Sequence, residues 1–460
     1  HHTSMEQNHF CLKLVVIQII LVTFIKAAFV PNVNPGLQLR ISQAGLNYAA
    51  KQALAALSKK AQGQTIPDQH GRADVKVGKV DYDITSMRVT GFSPGSGAAS
   101  VGQGTLTLSV TNVGASVHGD WHYKYKLGFI KVSDHGSFDV SVSGASISLG
   151  IALGLDSAES GRPTIHSSSC SSNVDKVNVK FHGGASWLYN LFSSNVEKAL
   201  KGNLRDMMCK AAQDAINDNA AKELATLKVV VPIENIVDLD YRLVAAPLIG
   251  NGVLETYHKG EVFLHGDRTE SPYTPSPMED PGAQTKMLTI WLSDYVMNTL
   301  GYVLNKHGVL KYNLTAKDFN ITAVGLHGNM AGYMNYSVLL NNGSKAFLFS
   351  TMTTVDITLV AQMNNVKITA NVTTIDPDLK VIESTIGDVE GSLKFLFDVA
   401  ANSFIKPKLN EVGQKGLDLP SIDDITYVNP SLKFMKNSLC LMTDVQYTPD
   451  TTLYFRPSKK

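Results

Sequence analysis

The chain is poor in the signatures of chemistry. Its histidines and cysteines show no His-Glu-x-x-His or Cys-x-x-Cys spacing, so no metal centre is indicated. It has no phosphate-cradling P-loop and no dinucleotide fingerprint. One nucleophile-elbow pattern occurs, Gly91-Phe92-Ser93-Pro94-Gly95. An elbow needs a helix after it, and Ser96-Gly97-Ala98-Ala99-Ser100 has no helical period. A hairpin loop explains the pattern, and a Ser93 hydrolase stays as a reading that serine-directed labelling would have to revive. Excess charge is lacking too: 41 Lys and Arg face 40 Asp and Glu, a net of +1. That excludes a broadly polycationic protein and gives no reason to expect a nucleic-acid partner, so any anion site must be a local patch. Long apolar runs are absent apart from Leu14–Ile25, about a dozen residues where a bilayer span needs roughly 20. With Lys13 before it and Ala27-Ala28 after it, that run has the layout of a secretory signal rather than a membrane anchor. Residues 1–28 are expected to be leader and signal, and the mature protein soluble and secreted.

What is present is a globular composition, 44% hydrophobic and 18% charged over 460 residues, a length that predicts two domains. The stretch Asn34–Lys60 predicts an amphipathic helix. Leu46, Ala50, Ala53, Leu54, Leu57 and Ala61 recur three or four apart, Gln43, Asn47 and Lys51 lie between them, and Gly63 follows as a stop. Short alternating runs from Val75 to Val142 predict an antiparallel meander that a helix must cover. A second helix is predicted from Trp187 to about Leu227, with Leu200, Leu204 and Met208 in its apolar period. Its length would be roughly 60 Å. Thr269–Ala283, rich in proline, is a linker. The pattern then partly repeats. A helix is predicted over Met287–Lys306, strands over Ser337–Ile375, a helix from Gly391 to about Phe404 broken by Pro407, and a strand at Ile425–Tyr427. Like order in both halves predicts duplication.

One local patch could bind anions. Trp121-His122-Tyr123-Lys124-Tyr125-Lys126-Leu127-Gly128-Phe129-Ile130-Lys131 mixes aromatic and basic residues at a turn, with Arg72, Lys76 and Lys79 at the start of a neighbouring strand. The plain reading is a solvated hairpin with Tyr in and Lys out. The functional reading is a cationic, aromatic tip that meets phosphate headgroups at an acyl–water interface. His118, His122 and His135 lie nearby and add charge only at lower pH, while Asp74, Asp81, Asp83, Asp120 and Asp134 dilute the patch. Of the four cysteines Cys11 leaves with the signal, so Cys170, Cys209 and Cys440 allow three pairings with one thiol left over. Cys440, in the apolar run Leu439–Met442, suits a buried free thiol. Five Asn-x-Ser/Thr sequons, at Asn313, Asn320, Asn335, Asn342 and Asn371, all lie in the second half and predict surface glycans there.

Three stretches carry a resemblance. Asn34-Pro35-Gly36, Arg40-Ile41-Ser42-Gln43, Gly45-Leu46-Asn47-Tyr48-Ala49 and Ile66-Pro67-Asp68 resemble the mature amino terminus of the bactericidal/permeability-increasing protein family, which includes lipopolysaccharide-binding protein and the plasma lipid-transfer proteins. Asp240–Pro247 with Lys259–Phe263, and Ser293-Asp294-Tyr295 in its helix, resemble the same family. The resemblance implies an α+β fold: an elongated boomerang of two related barrels, each a curved antiparallel sheet with two helices, joined by a central antiparallel sheet. It divides the chain into a leader (1–28), an amino-terminal barrel (29–268), a linker (269–284) and a carboxy-terminal barrel (285–460), the last shortened between about 314 and 347. It selects Cys170–Cys209 as the disulfide. It assigns lipopolysaccharide contact to Lys76, Lys79, Lys124, Lys126 and Lys131, and more weakly to Arg72. It implies phospholipid pockets behind the two helices, for which Leu46, Ala50, Leu54, Leu57, Leu200, Leu204 and Met208 are candidates. The expectation is a secreted, glycosylated, monomeric innate-immune protein. It would bind lipid A on the Gram-negative outer-membrane surface, hold phospholipid as ligand, need no cofactor and catalyse nothing. The alternative is a phospholipid or neutral-lipid transfer protein without antibacterial activity.

Overall fold

The computed structural model describes residues 33–448 except 75–77, 103, 128, 184–185, 234, 283–284, 307–313, 365 and 419–424. The expected leader, Lys76 and Asn313 lie outside the described residues, and so does the Leu57 side chain.

The chain opens with β1 (Leu37–Ser42) and α1 (Gln43–Ala61). Six long or short strands of a meander follow with their edge strand: β2 (Gln69–Asp74), β3 (Lys79–Ser93), β4 (Ser96–Val101), β5 (Leu106–Leu127), β6 (Ile130–Leu155), β7 (Pro163–Asn173) and β8 (Lys176–His182). The helical rod is α2 (Ser186–Asp214), a π-helical turn Ala215–Ala220 and α3 (Ala221–Ala225). Next come β9 (Val230–Ile233), β10 (Val237–Asp240), β11 (Leu248–Gly250), β12 (Val253–His258) and β13 (Glu261–Leu264). The second half runs β14 (Leu288–Ser293), α4 (Asp294–Lys306), β15 (Leu314–Thr322), β16 (Gly325–Leu339), β17 (Lys345–Asn364) and β18 (Lys367–Ser384). It continues with α5 (Glu390–Ala400), a π-helical turn Ala401–Ile405 and α6 (Lys406–Lys415). β19 (Leu417–Asp418), β20 (Ile425–Met435) and β21 (Ser438–Tyr447) complete it.

The fold is α+β, with far more strand than helix. A central six-stranded sheet has the order β11-β12-β1-β14-β21-β20, so it takes strands from both halves. To one side of it in sequence lies the sheet β2-β3-β5-β6-β7, with β4 on β5 and β8 on β6; to the other lies β15-β16-β17-β18-β19. Both orders are those of open sheets among the described residues. The first lobe's core is the sheet face lined by Val80, Ile84, Met87, Val117, Trp121, Tyr123, Phe138 and Val140, against which Leu200, Leu204 and Met208 of α2 pack. The disulfide Cys170–Cys209, with Cα atoms 5.8 Å apart, ties α2 to β7.

Three helix expectations change. Asn34–Lys60 is not helical throughout: Leu37–Ser42 is a strand, and the helix starts at Gln43, where the Ser42 hydroxyl accepts from the Gly45 N–H. Met287–Lys306 divides the same way, with Leu288–Ser293 a strand and the helix beginning at Asp294. Leu37, Leu39 and Ile41 alternate, as do Leu288, Ile290 and Leu292, and that period of two belongs to β1 and β14. The two strand–Ser–helix units are antiparallel neighbours, Leu37 opposite Leu292, which is the duplication seen in structure. The third change concerns Pro407, which does not break its helix. The wide π-helical turn before it shifts the carbonyls that a proline ring would strike, and the helix continues to Lys415.

The linker is strapped onto the central sheet. Arg40 bonds both Glu255 of β12 and Asp280 of the linker, and its guanidinium lies 4.9 Å from the centre of the Trp291 ring. Burial disfavours the Arg40 charge; the two carboxylates overcome this and hold its pKa above the ordinary value. Trp291 Nε1 donates to Glu279 O (3.2 Å), Asn34 Nδ2 to Pro275 O (3.1 Å) and Asn437 Nδ2 to Pro277 O (3.0 Å). Cys440 is buried and free opposite Trp291, and burial pushes its pKa up to about 11, so it is an inert thiol.

Candidate functional tip and helix seam

The β5–β6 hairpin carries the patch. Its register is continuous from His118↔Asp139 to Leu127↔Ile130, and side chains alternate faces along each strand. Trp121, Tyr123 and Phe138 point inward and are buried. Trp121 stacks on Tyr123 (centroids 5.5 Å apart), and its Nε1 donates to Ser137 O at 2.9 Å. The intervening residues form cross-strand rows on the outer face. Nearest the turn are Asp74, Lys79, Lys126 and Lys131, and next come Arg72, Asp81 and Lys124. Farther from the tip are His70, Asp83, His122 and His135, and after them His118, Asp139 and Lys180.

The plain reading of this stretch holds: the aromatics face inward, and the same alternation gathers the lysines on one exposed face. Five of the six expected contact residues, Arg72, Lys79, Lys124, Lys126 and Lys131, share it. They are not equivalent. Arg72 is bound to Asp81, whose carboxyl its hydrogen bond holds below the usual range, and Lys79 lies 3.9 Å from Asp74. Lys124, Lys126 and Lys131 form no ion pair among the described residues. Asp134, counted above as diluting the patch, sits opposite Tyr123, on the other face from the lysines.

The turn holds residues that the sequence reading did not single out as site residues. Phe129 is fully exposed, at 106% of its reference area, with Ile130 at 59% and Val132 at 41%. Ile130 and Val132 have the parity of the inner face but lie beyond the core. The hairpin thus ends in an apolar wedge with lysines on one flank. The signal was an aromatic–aliphatic pair in a tight turn, where Gly, Asn, Asp and Ser are usual.

The pocket candidates lie in two separate seams. Leu46 and Leu54 of α1 are buried and Ala50 half-buried, over β4. Asn47 Oδ1 accepts from Ala99 N (3.0 Å), Gln43 Nε2 donates to Ala99 O (2.7 Å), and Gly97 admits Leu54, whose Cδ2 would lie 3.2 Å from a Cβ there. Leu200 and Leu204 of α2 instead line an apolar crevice with Ile66, Met87, Val117 and Val140, about 20 Å³ in volume. Met208 packs on the same core. Ser93 ends β3 and Ser96 opens β4, a strand–turn–strand without the helix an elbow needs. Asn320, Asn335 and Asn342 are exposed, and Asn371 Oδ1 accepts from Gln414 Nε2 of α6 at 2.6 Å. No helix among the described residues is long and apolar enough to cross a membrane.

Comparison with known proteins fits this geometry. The family model described as LBP / BPI / CETP family, N-terminal domain, matches residues 45–218. Its C-terminal counterpart matches 232–322 and 318–447, two segments that meet within β15. The chain is 28% identical over 461 residues to a bactericidal permeability-increasing protein of Sebastes schlegelii, covering 91% of this chain and 96% of the relative. It is 31% identical over 459 residues to the Homo sapiens lipopolysaccharide-binding protein, covering 90% and 94%. A crystal structure of lipopolysaccharide binding protein superposes with a TM-score of 0.62 at 27% identity, covering 90% of this chain and 100% of that one. Matching family models over most of its length, with the two-lobed arrangement to go with them, the chain belongs to the LBP / BPI / CETP family.

Proposed function

We propose that this is a secreted lipid-binding protein of innate immunity. It docks the β5–β6 tip on lipid A of the Gram-negative outer surface and is antibacterial through that contact. The observation that carries the reading is the fully exposed Phe129 at the apex of a hairpin whose flank presents Lys124, Lys126 and Lys131. Lysines suit the phosphates, and Phe129 with Ile130 suits the acyl region beneath them. The relatives named for lipopolysaccharide binding support the ligand class. Titration of lipid A into the protein by calorimetry tests it: the Phe129→Ser and Lys→Glu variants lose affinity if the tip is the contact, and unchanged affinity overturns it.

A second reading, phospholipid carriage, rests on the α2 seam. The crevice beside Leu200 and Leu204 is mainly apolar, with Gln69 and Asn203 also in its lining, and at about 20 Å³ it has room for roughly one water. An acyl chain would enter only if α2 lifted from the sheet, and the Cys170–Cys209 bridge limits how far it can. Mass spectrometry of lipid extracted from purified protein decides: bound phospholipid supports the seam as a pocket, and its absence removes the carriage reading without touching the tip.

A further inference from the structure

We propose that the outer face of the amino-terminal sheet is a second, acid-activated contact for an anionic lipid surface, one that lets the sheet lie down beside the docked tip. This goes beyond tip docking and rests on that reading. The observation is the arrangement of five histidines on that face. His70 Nδ1 lies 2.7 Å from Asp83 Oδ1, and His122 Nδ1 lies 3.3 Å from Asp83 Oδ2. His118 Nδ1 lies 2.8 Å from Asp139 Oδ1, and His182 Nε2 lies 2.8 Å from Asp139 Oδ2. His135 stands opposite His122. Each aspartate is thus shared by two imidazoles from different strands, although the partners are 13 to 43 residues apart in sequence.

Charge explains what this does. With neutral imidazoles each His–Asp–His group carries one negative charge; with both imidazoles protonated it carries one positive charge. Histidine is the side chain that makes this change between about pH 8 and pH 5. The aspartates stay ionised throughout: the hydrogen bonds from His70, then His122, hold the Asp83 carboxyl below its usual range, and those of His118, then His182, do so for Asp139. The other charged groups on the face do not cancel the change. Arg72 and Asp81 neutralise each other, as do Lys79 and Asp74, while Arg88, Lys124, Lys126, Lys131 and Lys180 outnumber Asp120. Acid therefore turns a weakly positive, mixed face into a strongly cationic one. The His122 row lies four residues from the Lys126 row, roughly 14 Å along the strand, farther than the screening length of about 8 Å at physiological salt. A tip-down molecule would hardly feel it, and a molecule lying on its sheet would.

Flotation with phosphatidylglycerol-containing and pure phosphatidylcholine vesicles, at about pH 7.5 and about pH 5.5, tests this. The full chain should bind the anionic vesicles about tenfold or more tightly at the lower pH, and the neutral ones no better. The triple variant His70→Gln, His122→Gln, His135→Gln should keep its neutral-pH binding and lose most of the acid gain. Should that variant misfold by circular dichroism, Asp83→Asn with Asp139→Asn decides instead, since it should raise binding at neutral pH and shrink the gain. A wild-type protein with no acid gain, a gain equal on neutral vesicles, or a gain that survives the substitutions overturns the proposal. Loss of binding at both pH values in the Lys→Glu tip variant alone reports on the tip, so the two readings fail separately.

Discussion

The β5–β6 and β16–β17 hairpins occupy corresponding places: each joins consecutive long strands between its lobe's first helix and its helical rod. Both turns expose apolar residues, Phe129 and Ile130 in one, Leu339 (68% exposed) and Leu340 (44%) in the other. They differ in what surrounds those residues. The first is flanked by Lys79, Lys124, Lys126 and Lys131. The second runs Leu339-Leu340-Asn341-Asn342-Gly343-Ser344-Lys345, with a single cation and a sequon at its apex, where Asn342 Oδ1 accepts from Ser344 N and Oγ. Apolar exposure is thus common to both lobes, and the cations with the bare apex distinguish the first. The two tips share exposed apolar residues and differ in charge and in the presence of a sequon.

The comparison breaks or sharpens under mutation. Lys124→Glu with Lys126→Glu and Lys131→Glu should weaken lipid A binding about a thousandfold, or about 4 kcal/mol, by calorimetry. An equal loss from Leu339→Ser with Leu340→Ser would abolish the distinction between the tips. Arg40→Leu, remote from both, should lower unfolding stability by about 3 kcal/mol in a denaturant titration, because it strands the buried Glu255 and frees the strap at Asp280. Lipid A affinity of the folded fraction should not change. Phe129→Ser should cost about 2 kcal/mol of binding, roughly thirtyfold, by losing one buried aromatic. Asn342→Gln should remove glycan mass at the second tip, read by mass spectrometry, and leave lipid A affinity unaltered. The smallest effect is that of mild acid on the fold itself. Asp83 and Asp139 have lowered pKa values, so their stabilising hydrogen bonds are fully present above the ordinary carboxylate range and are lost only as pH falls through the lowered values. The thermal midpoint should therefore show no aspartate-driven loss between about pH 7.5 and pH 5.5, while vesicle binding changes.

How much of this was legible in the sequence depended on range. The alternation Tyr123-Lys124-Tyr125-Lys126 already assigns faces, so the lysine side of the tip could be drawn from local pattern alone. The strands before the first helix of each half were missed because Leu37, Leu39 and Ile41 run straight into an apolar period of three and four, and one period was extended over both. The exposure of Phe129 is not written in its local sequence, since it depends on how far the hairpin overhangs its core. The shared aspartates could not be read: Asp139 meets His118 and His182 only through the registers of β5 with β6 and of β6 with β8. Seam volume is likewise a property of packing and not of composition.

The placement of β1 also bears on how the molecule is made. Its neighbours in the central sheet are β12 and β14, and Arg40 lies 215 residues before its partner Glu255. At 5–20 residues per second of synthesis, the strand made first waits roughly 10–40 s for a partner. During that time the first lobe can assemble from contiguous chain, while β1 remains an unpaired edge, the kind of segment that recruits chaperones or neighbouring chains. The central sheet can be complete only once its last strands, β20 and β21, have been made.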